Sequence, residues 1–238
     1  MAHNNYFQFK QFTIIHEKSA MKVGTDSVLL GAWANPGNAN TILDIGSGTG
    51  ILSLMMAQRT DAAITAIEID KDAIKEAEYN SRQSKWAGRI KLVHLPFQEF
   101  AESCPDKFDF IISNPPFFAN GINNGNFERA AARHQNVLSF EDIVSHSKKL
   151  LNQKGRIALI LPVNEGNQFN IIAQDNGLFL SRITKVKPNC IKPARRYLIE
   201  FSKQNLLLVE TELTIEYEKH HDYTLEFREL TKDYYLKF

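Results

Sequence analysis

The stretch Thr41-Ile-Leu-Asp-Ile-Gly-Ser-Gly-Thr-Gly50 decides the fold. Thr41 to Ile45 is a short apolar run of the kind that forms a strand buried on both faces. Gly46, Gly48 and Gly50 follow at once, and Ile51 to Gln58 then takes up a helical pattern. A strand, a glycine turn and a helix together let backbone approach a ligand at the carboxyl ends of an open parallel sheet. The glycines are spaced G-x-G-x-G, unlike those of dinucleotide folds, and no G-K-[ST] follows, so phosphate cradling is disfavoured. Asp44, Gly46, Gly48 and Gly50 are therefore candidate cofactor-binding residues.

Working outward, Ile64 to Ile69 reads as a second strand and Lys71 to Ser84 as a helix, with further core strands at Ile90 to His94, Phe108 to Ser113 and Arg156 to Leu161. Ser139 is an N-cap with Asp142 three residues on, and Leu138 is placed to pack on Ile143. Leu178 to Val186, Tyr197 to Phe201 and Leu206 to Tyr217 are rich in β-branched residues without long helices between them, which predicts an antiparallel finish to the sheet. Upstream, Phe7, Phe9, Phe12 and Ile14 predict a short β-ribbon, and Asp26 to Ala34 a helix stopped by Asn35-Pro36-Gly37. The expected architecture is α/β: a doubly wound, mostly parallel seven-stranded sheet with an antiparallel C-terminal strand. We expect a single domain over residues 1–238, with residues 1–37 forming a ribbon and helix extension over the cofactor site.

Length and composition limit the function classes. The 238 residues suit one large core rather than two enzyme domains. An apolar fraction of 43% and a charged fraction of 23% are those of a globular chain. Two cysteines, Cys104 and Cys190, are too few for a disulfide scaffold and have no metal spacing. No leader pattern or membrane-length apolar run is present, so a soluble, cytoplasmic protein is expected. A formal net charge of +1 is neutral on nucleic acid, because binding one needs only a local basic surface.

Two positions carry chemistry beyond the glycine loop. Glu68 closes the second strand 18 residues after Gly50, where a carboxylate can accept hydrogen bonds from both hydroxyls of a ribose. A solvated strand-end Glu is the alternative. Asp70-Lys-Asp72 reads as a helix start. Ser113-Asn-Pro-Pro-Phe117 follows a strand directly and projects from the same carboxyl edge. Two prolines fix the turn and remove two amide donors, leaving the Pro115 carbonyl and the Asn114 side-chain oxygen as acceptors suited to an amino group.

These residues resemble the class I, Rossmann-like S-adenosylmethionine-dependent methyltransferases that carry an Asn-Pro-Pro-aromatic motif and modify planar NH2 groups. The resemblance implies Asn114, Pro115, Pro116 and Phe117 as catalytic residues, with Asn114 also beside the cofactor. It implies direct in-line transfer, with Phe117 stacking on the base, a contact worth roughly 1–3 kcal/mol. No metal is required, and His134 and the pair His220-His221 read as structural or solvated.

Within that class, Phe9-Lys-Gln-Phe-Thr-Ile-Ile15, Ala20-Met-Lys-Val-Gly-Thr-Asp26, Leu29-Leu-Gly-Ala-Trp-Ala34, Arg133-His134, Lys192-Pro-Ala-Arg-Arg-Tyr-Leu198 and the tail from Tyr223 to Leu236 resemble the bacterial transfer-RNA(Val) adenine-37 N6-methyltransferase family over almost the whole chain. The resemblance implies methylation of the exocyclic N6 of the adenine just 3′ of the anticodon, with Thr25 and Asp26 near the methionine end of S-adenosylmethionine. Where many relatives have an Asp to hold the cofactor adenine, this chain has Pro96, and Phe97 is the substitute candidate. Lys22, Arg133, Lys192, Arg195 and Arg196 are candidate nucleic-acid contacts, within a basic set that also includes Lys10, Lys18, Arg129, Lys185 and Lys187. A monomer is expected. The competing readings are methylation of a ribosomal RNA base or a release-factor glutamine by the same fold, an inactive RNA-binding module, and a nicotinamide dehydrogenase, the last disfavoured by glycine spacing.

Overall fold

A computed structural model describes residues 5–19, 22–116 and 138–238. Phe117, Arg129, Arg133 and His134 lie outside the described residues, as do Ala20 and Met21.

The chain opens with an antiparallel ribbon of β1 (Tyr6–Gln8) and β2 (Thr13–Ile15) and then forms α1 (Thr25–Trp33). The central succession is β3 (Thr41–Ile45), α2 (Ile51–Arg59), β4 (Ala63–Glu68), α3 (Lys71–Arg82), β5 (Ile90–His94), α4 (Phe97–Ser103) and β6 (Phe108–Ser113). Then come α5 (Phe140–Leu150), β7 (Leu151–Pro162), α6 (Val163–Asp175), β8 (Phe179–Asn189), β9 (Arg196–Ser202), β10 (Val209–Glu216) and α7 (Leu225–Thr231).

The strands form one sheet in the order β10-β8-β9-β7-β6-β3-β4-β5. β9 is antiparallel to β7 and β8, whereas every other adjacent pair is parallel. The sheet therefore has eight strands rather than seven, and the last runs parallel to β8 instead of closing an antiparallel finish. Cross-strand pairs explain the addition of β10. Lys185 and Lys187 of β8 meet Glu210 and Glu212 at 3.5 and 2.7 Å, and the Thr184 and Thr211 hydroxyls lie 2.6 Å apart. Threonines at facing positions and opposite charges on the diagonal favour this alignment.

Alternation along each strand divides the core into two layers. Ile42, Ile64, Ile112 and Ile160 face α1 and α2 on one side, while Leu43, Ile45, Ile67, Ile111 and Leu159 pack with α4, α5 and α6 on the other. Complete burial of each such side chain is worth roughly 1.5–3 kcal/mol. Ser139 and Asp142 form a reciprocal capping box at the start of α5, as their spacing predicts.

Three helices were not evident in sequence. α4 follows Pro96 at its N-cap, and its buried Phe97, Phe100 and Ala101 recur at helical spacing. α6 hides its pattern among β-branched and polar residues, yet Gly166, Phe169 and Ala173 form its buried face. α7 is capped by Thr224, whose hydroxyl accepts from the Phe227 amide.

α1 is fixed firmly enough to orient a site. Nη1 of Arg59 donates to the carbonyls of Gly31, Ala32 and Ala34, satisfying acceptors left open at the helix end. Trp33 Nε1 donates to Thr184 Oγ1 at 2.8 Å, and the Arg182 guanidinium lies 3.6 Å from the Trp33 ring centre. Ahead of α1, Glu76 of α3 accepts from the amides of Lys18 and Ser19. Asn80 accepts from the Ile15 amide and donates to the carbonyls of Ile15 and Thr49. One side chain thus touches both the ribbon and the glycine loop.

Candidate active site

β3 and β6 are neighbours with Ile45 opposite Ser113, so the glycine loop and the Asn-Pro-Pro turn leave the same edge of the sheet side by side. Ser113 is fully buried, and its hydroxyl donates to the Ile45 carbonyl at 2.8 Å. That bond ties the roots of the two motifs together.

In the loop, Gly46, Gly48 and Gly50 have φ of 66°, 55° and 83°, a region that side chains other than glycine rarely adopt. A Cβ built on Gly46 or Gly48 would meet nothing within 4 Å, so the loop borders open space. The Gly48 amide donates to Glu68 Oε2 at 2.7 Å, and the amides of Ile69 and Asp70 donate to Oε1, both at 2.8 Å. Three backbone donors thereby hold the carboxylate at the end of β4. Asp70 caps α3 by accepting from Asp72 and Ala73, which matches its reading as a helix start.

Asp44 lies beneath the loop with no solvent exposure. Its Oδ2 accepts from Ser53 Oγ at 2.6 Å, and its Oδ1 has no hydrogen-bond partner among the described residues. Burial pushes the carboxyl up to about 7, against the lowering effect of the Ser53 bonds.

A small cavity of about 50 Å³ runs from the loop to α4, lined by Gly46, Glu68, Pro96, Phe97 and Leu138 among others. Phe97 is buried there, with its ring edge-on to His146 at 5.7 Å. The sequence signal for this wall was the helical spacing of Phe97 and Phe100, not a polar ligand.

At the turn, Pro115 is buried and Pro116 exposed. Asn114 donates through Nδ2 to Ser27 Oγ at 3.0 Å, while its Oδ1 is shielded from solvent with no partner among the described residues. An unused, buried acceptor next to a donor-free proline turn is suited to an incoming NH2 group. Sequence reasoning missed Ser27, which the α1 pattern hid inside a helix.

The basic candidates fare unequally. The Lys22 ammonium donates to the backbone carbonyls of His16 and Glu17. Lys10 donates to the Lys232 and Phe238 carbonyls, and Lys185 and Lys187 are taken up by β10. Arg196 Nε pairs with Asp26 Oδ2 at 2.8 Å, so two residues assigned to different ligands bind each other. Lys192 and Arg195 are exposed near the start of β9. Thr25, Asp26, Arg195 and Arg196 line a cavity of about 450 Å³ on the carboxyl edge. A cavity of about 510 Å³ on the opposite edge is ringed by Lys148, Lys149 and Lys203, whose ammonium groups donate to the carbonyls of Asn176, Ala101 and Leu151.

Among the described residues no helix is long and apolar enough to cross a membrane. The model of the family described as methyltransferase small domain matches residues 18–173. A tRNA1(Val) (adenine(37)-N6)-methyltransferase from Trichodesmium erythraeum is 44% identical over 237 residues, covering 98% of this chain and 99% of its own. One of the same name from Histophilus somni is 42% identical over 240 residues, with both chains fully covered. Among solved structures, a predicted O-methyltransferase from Agrobacterium tumefaciens superposes with a TM-score of 0.70 at 20% identity, covering 88% of this chain and 96% of its own. A putative RNA methyltransferase from Pyrococcus horikoshii gives 0.53 at 18% identity, covering 73% and 79%. The fold is thus that of Rossmann-like methyltransferases, and the chain belongs to the methyltransferase small domain family and, within it, to the family of tRNA1(Val) (adenine(37)-N6)-methyltransferases.

Proposed function

We propose that this protein transfers a methyl group from S-adenosylmethionine to N6 of adenine 37 in tRNA(Val). The observation that carries the reading is the unpartnered Oδ1 of Asn114, one strand away from the glycine loop and two from Glu68 on the same sheet edge.

The residues suit the cofactor: the loop is open above Gly46 and Gly48, and a carboxylate stands at the end of the next strand. Glu68 would hold the ribose hydroxyls, Phe97 the adenine ring, and Gly46, Gly48 and Gly50 the chain between them, with Thr25 and Asp26 toward the amino-acid end. Bound there, S-adenosylmethionine supplies an electrophilic methyl on a sulfonium.

The protein's own part is to orient the amine. An exocyclic amine is a weak nucleophile because its lone pair is conjugated with the ring. Hydrogen bonds from its two hydrogens to Asn114 Oδ1 and the Pro115 carbonyl favour a pyramidal nitrogen and stabilise positive charge growing on it. Phe117 would stack on the extruded base, and Lys192 and Arg195 would meet phosphates.

Incubation with labelled S-adenosylmethionine and unmodified tRNA, DNA or release factor tests the reading. Label recovered as N6-methyladenosine from tRNA is expected. Transfer to protein alone would favour the glutamine alternative, whose amide Asn114 and Pro115 would accept equally well.

A further inference from the structure

The cavity of about 450 Å³ lies beyond α1, on the same sheet edge as Asn114, and has features that the reacting corner does not use. Its apolar floor includes Leu29, Val186, Ile215 and Phe227, and its rim carries Arg195, the Asp26–Arg196 pair and the turn that follows β10. An apolar hollow with a few convergent polar groups is the usual form of a small-ligand site, and this volume falls in the usual range.

One cation at the rim is open to a ligand. Asp26 is neutralised by Arg196. Glu216 accepts from the His221 amide at 2.9 Å and lies 3.1 Å from His220 Nδ1. Arg195 remains: its backbone amide is anchored on the Val186 carbonyl at 2.9 Å, while its exposed guanidinium has no side-chain partner among the described residues. A guanidinium held by its backbone and open at its fork matches a phosphate.

The other wall is aromatic. Tyr223 stacks on Phe227 with centroids 5.1 Å apart at 22°, His221 lies 6.2 Å from Tyr223, and His220 lies 3.8 Å from His221. His221 has φ of 66°, the one positive value at a non-glycine residue among those described. Aromatic rings beside an arginine open at its fork are the arrangement by which unpaired nucleotides are held without sequence readout.

Reach fixes which nucleotide. Arg196 begins β9, two strands from β6, roughly 10 Å at ordinary strand spacing. That is roughly three stacked nucleotides, or fewer when a base is extruded. We propose that this cavity binds an unpaired nucleotide of the RNA within three positions of the target adenine, its phosphate on Arg195 and its base against the His221 and Tyr223 rings. The inference rests on the RNA methylation reading and adds a second subsite to it.

The test uses an anticodon stem-loop RNA, intact or with one abasic site at each of the three positions on either side of the target. kcat/KM for methyl transfer is measured for the wild type and His221→Gly. Glycine adopts the φ of position 221 without strain, so this variant removes the ring and spares the turn. Arg195→Ala gives a second readout, the slope of RNA affinity against salt.

At one abasic position, the wild type should lose at least ~10-fold, the low end for a lost stacking contact. His221→Gly should lose the same factor on intact RNA and show no further loss at that position, and Arg195→Ala should reduce the salt slope by about one phosphate. Penalties that multiply at all six positions would overturn the proposal, as would an unchanged slope. Glu216, His220 and His221 also bring ligand atoms within 4.8 Å of one another. If EDTA abolished the abasic discrimination, the corner would be a metal site and the nucleotide reading would fail. Absence of N6-methyladenosine from wild type on intact RNA would instead defeat the underlying function.

Discussion

Asn114 gives its Nδ2 hydrogen to Ser27 Oγ across 3.0 Å, and this one bond decides which end of the amide is left for a substrate. With the amino end tied to α1, the carbonyl end is held ready as an acceptor. Ser27 is therefore a positioning residue, and its effect should appear in turnover rather than in cofactor affinity.

Ser27→Ala should lower kcat by about 10-fold, near the scale of one hydrogen bond, with little change in the cofactor Kd. Ser27→Thr, which keeps the hydroxyl, should recover most of the loss. Asn114→Ala should cost at least ~100-fold, the scale of one preorganised partner. A Ser27→Ala enzyme that turned over normally while binding RNA poorly would show that the bond serves packing alone.

Glu68 offers a contrasting case, because its carboxylate is satisfied by three amides before any ligand arrives. Glu68→Gln should weaken cofactor binding by roughly 10-fold or more, the scale of charged hydrogen bonds, and leave kcat at saturation nearly intact. Isothermal calorimetry with S-adenosylhomocysteine measures the first effect. Equal losses in Kd and kcat would contradict the assignment.

Asp44 makes stability depend on pH in an unusual direction. Its folded pKa, about 7, lies above the ordinary carboxylate value, so across that interval the folded chain keeps a proton that the unfolded chain has released. Stability should fall as pH rises through this window and level off above about 7, where a charged Asp44 costs a few kcal/mol. Melting temperatures of the ligand-free protein from about pH 5 to about pH 8 should decline for the wild type relative to Asp44→Asn. Parallel curves would refute the buried-proton account.

The Arg196–Asp26 pair links β9 to α1, and both partners are partly buried. Replacing Arg196 should therefore lower Tm as well as RNA affinity, whereas replacing Arg195 should affect RNA alone. A double-mutant cycle of Arg196→Ala with Asp26→Asn should give a coupling of about 1 kcal/mol, near the upper end for exposed pairs. Zero coupling would show that this pair does not hold β9 to α1.

Much of this architecture is legible from residue order. Thr41 to Ile45, Ile90 to His94 and Phe108 to Ser113 match their strands end to end; the first and last are inner parallel strands, whose covered faces call for an apolar run, while Ile90 to His94 is the edge strand and keeps Lys91 and His94 exposed. The Ser139 cap is equally plain, since its two hydrogen bonds are local. α6 was hidden because Gly166 and Asn170 are poor helix formers, a cost offset by burial of Phe169 and Ala173 against the sheet. β10 misled for a related reason: direction within a sheet depends on the partner strand, and its Glu–Lys pairs are visible only in three dimensions. In the site, the glycine loop and the proline turn are contiguous motifs, whereas the Ser27 to Asn114 bond spans 87 positions and leaves no local trace. The acceptors that Lys10, Lys22, Lys185 and Lys187 each find within the chain are likewise invisible to charge counting.

Asn80 holds Ile15 with both ends of its amide and Thr49 with its Nδ2, so the first strands of the molecule and the cofactor loop share an anchor. Filling the loop should slow amide exchange in the N-terminal strands through this shared anchor. Such linkage runs both ways with equal free energy: a substrate that pressed on those strands would tighten cofactor binding by the factor through which the cofactor tightens its own.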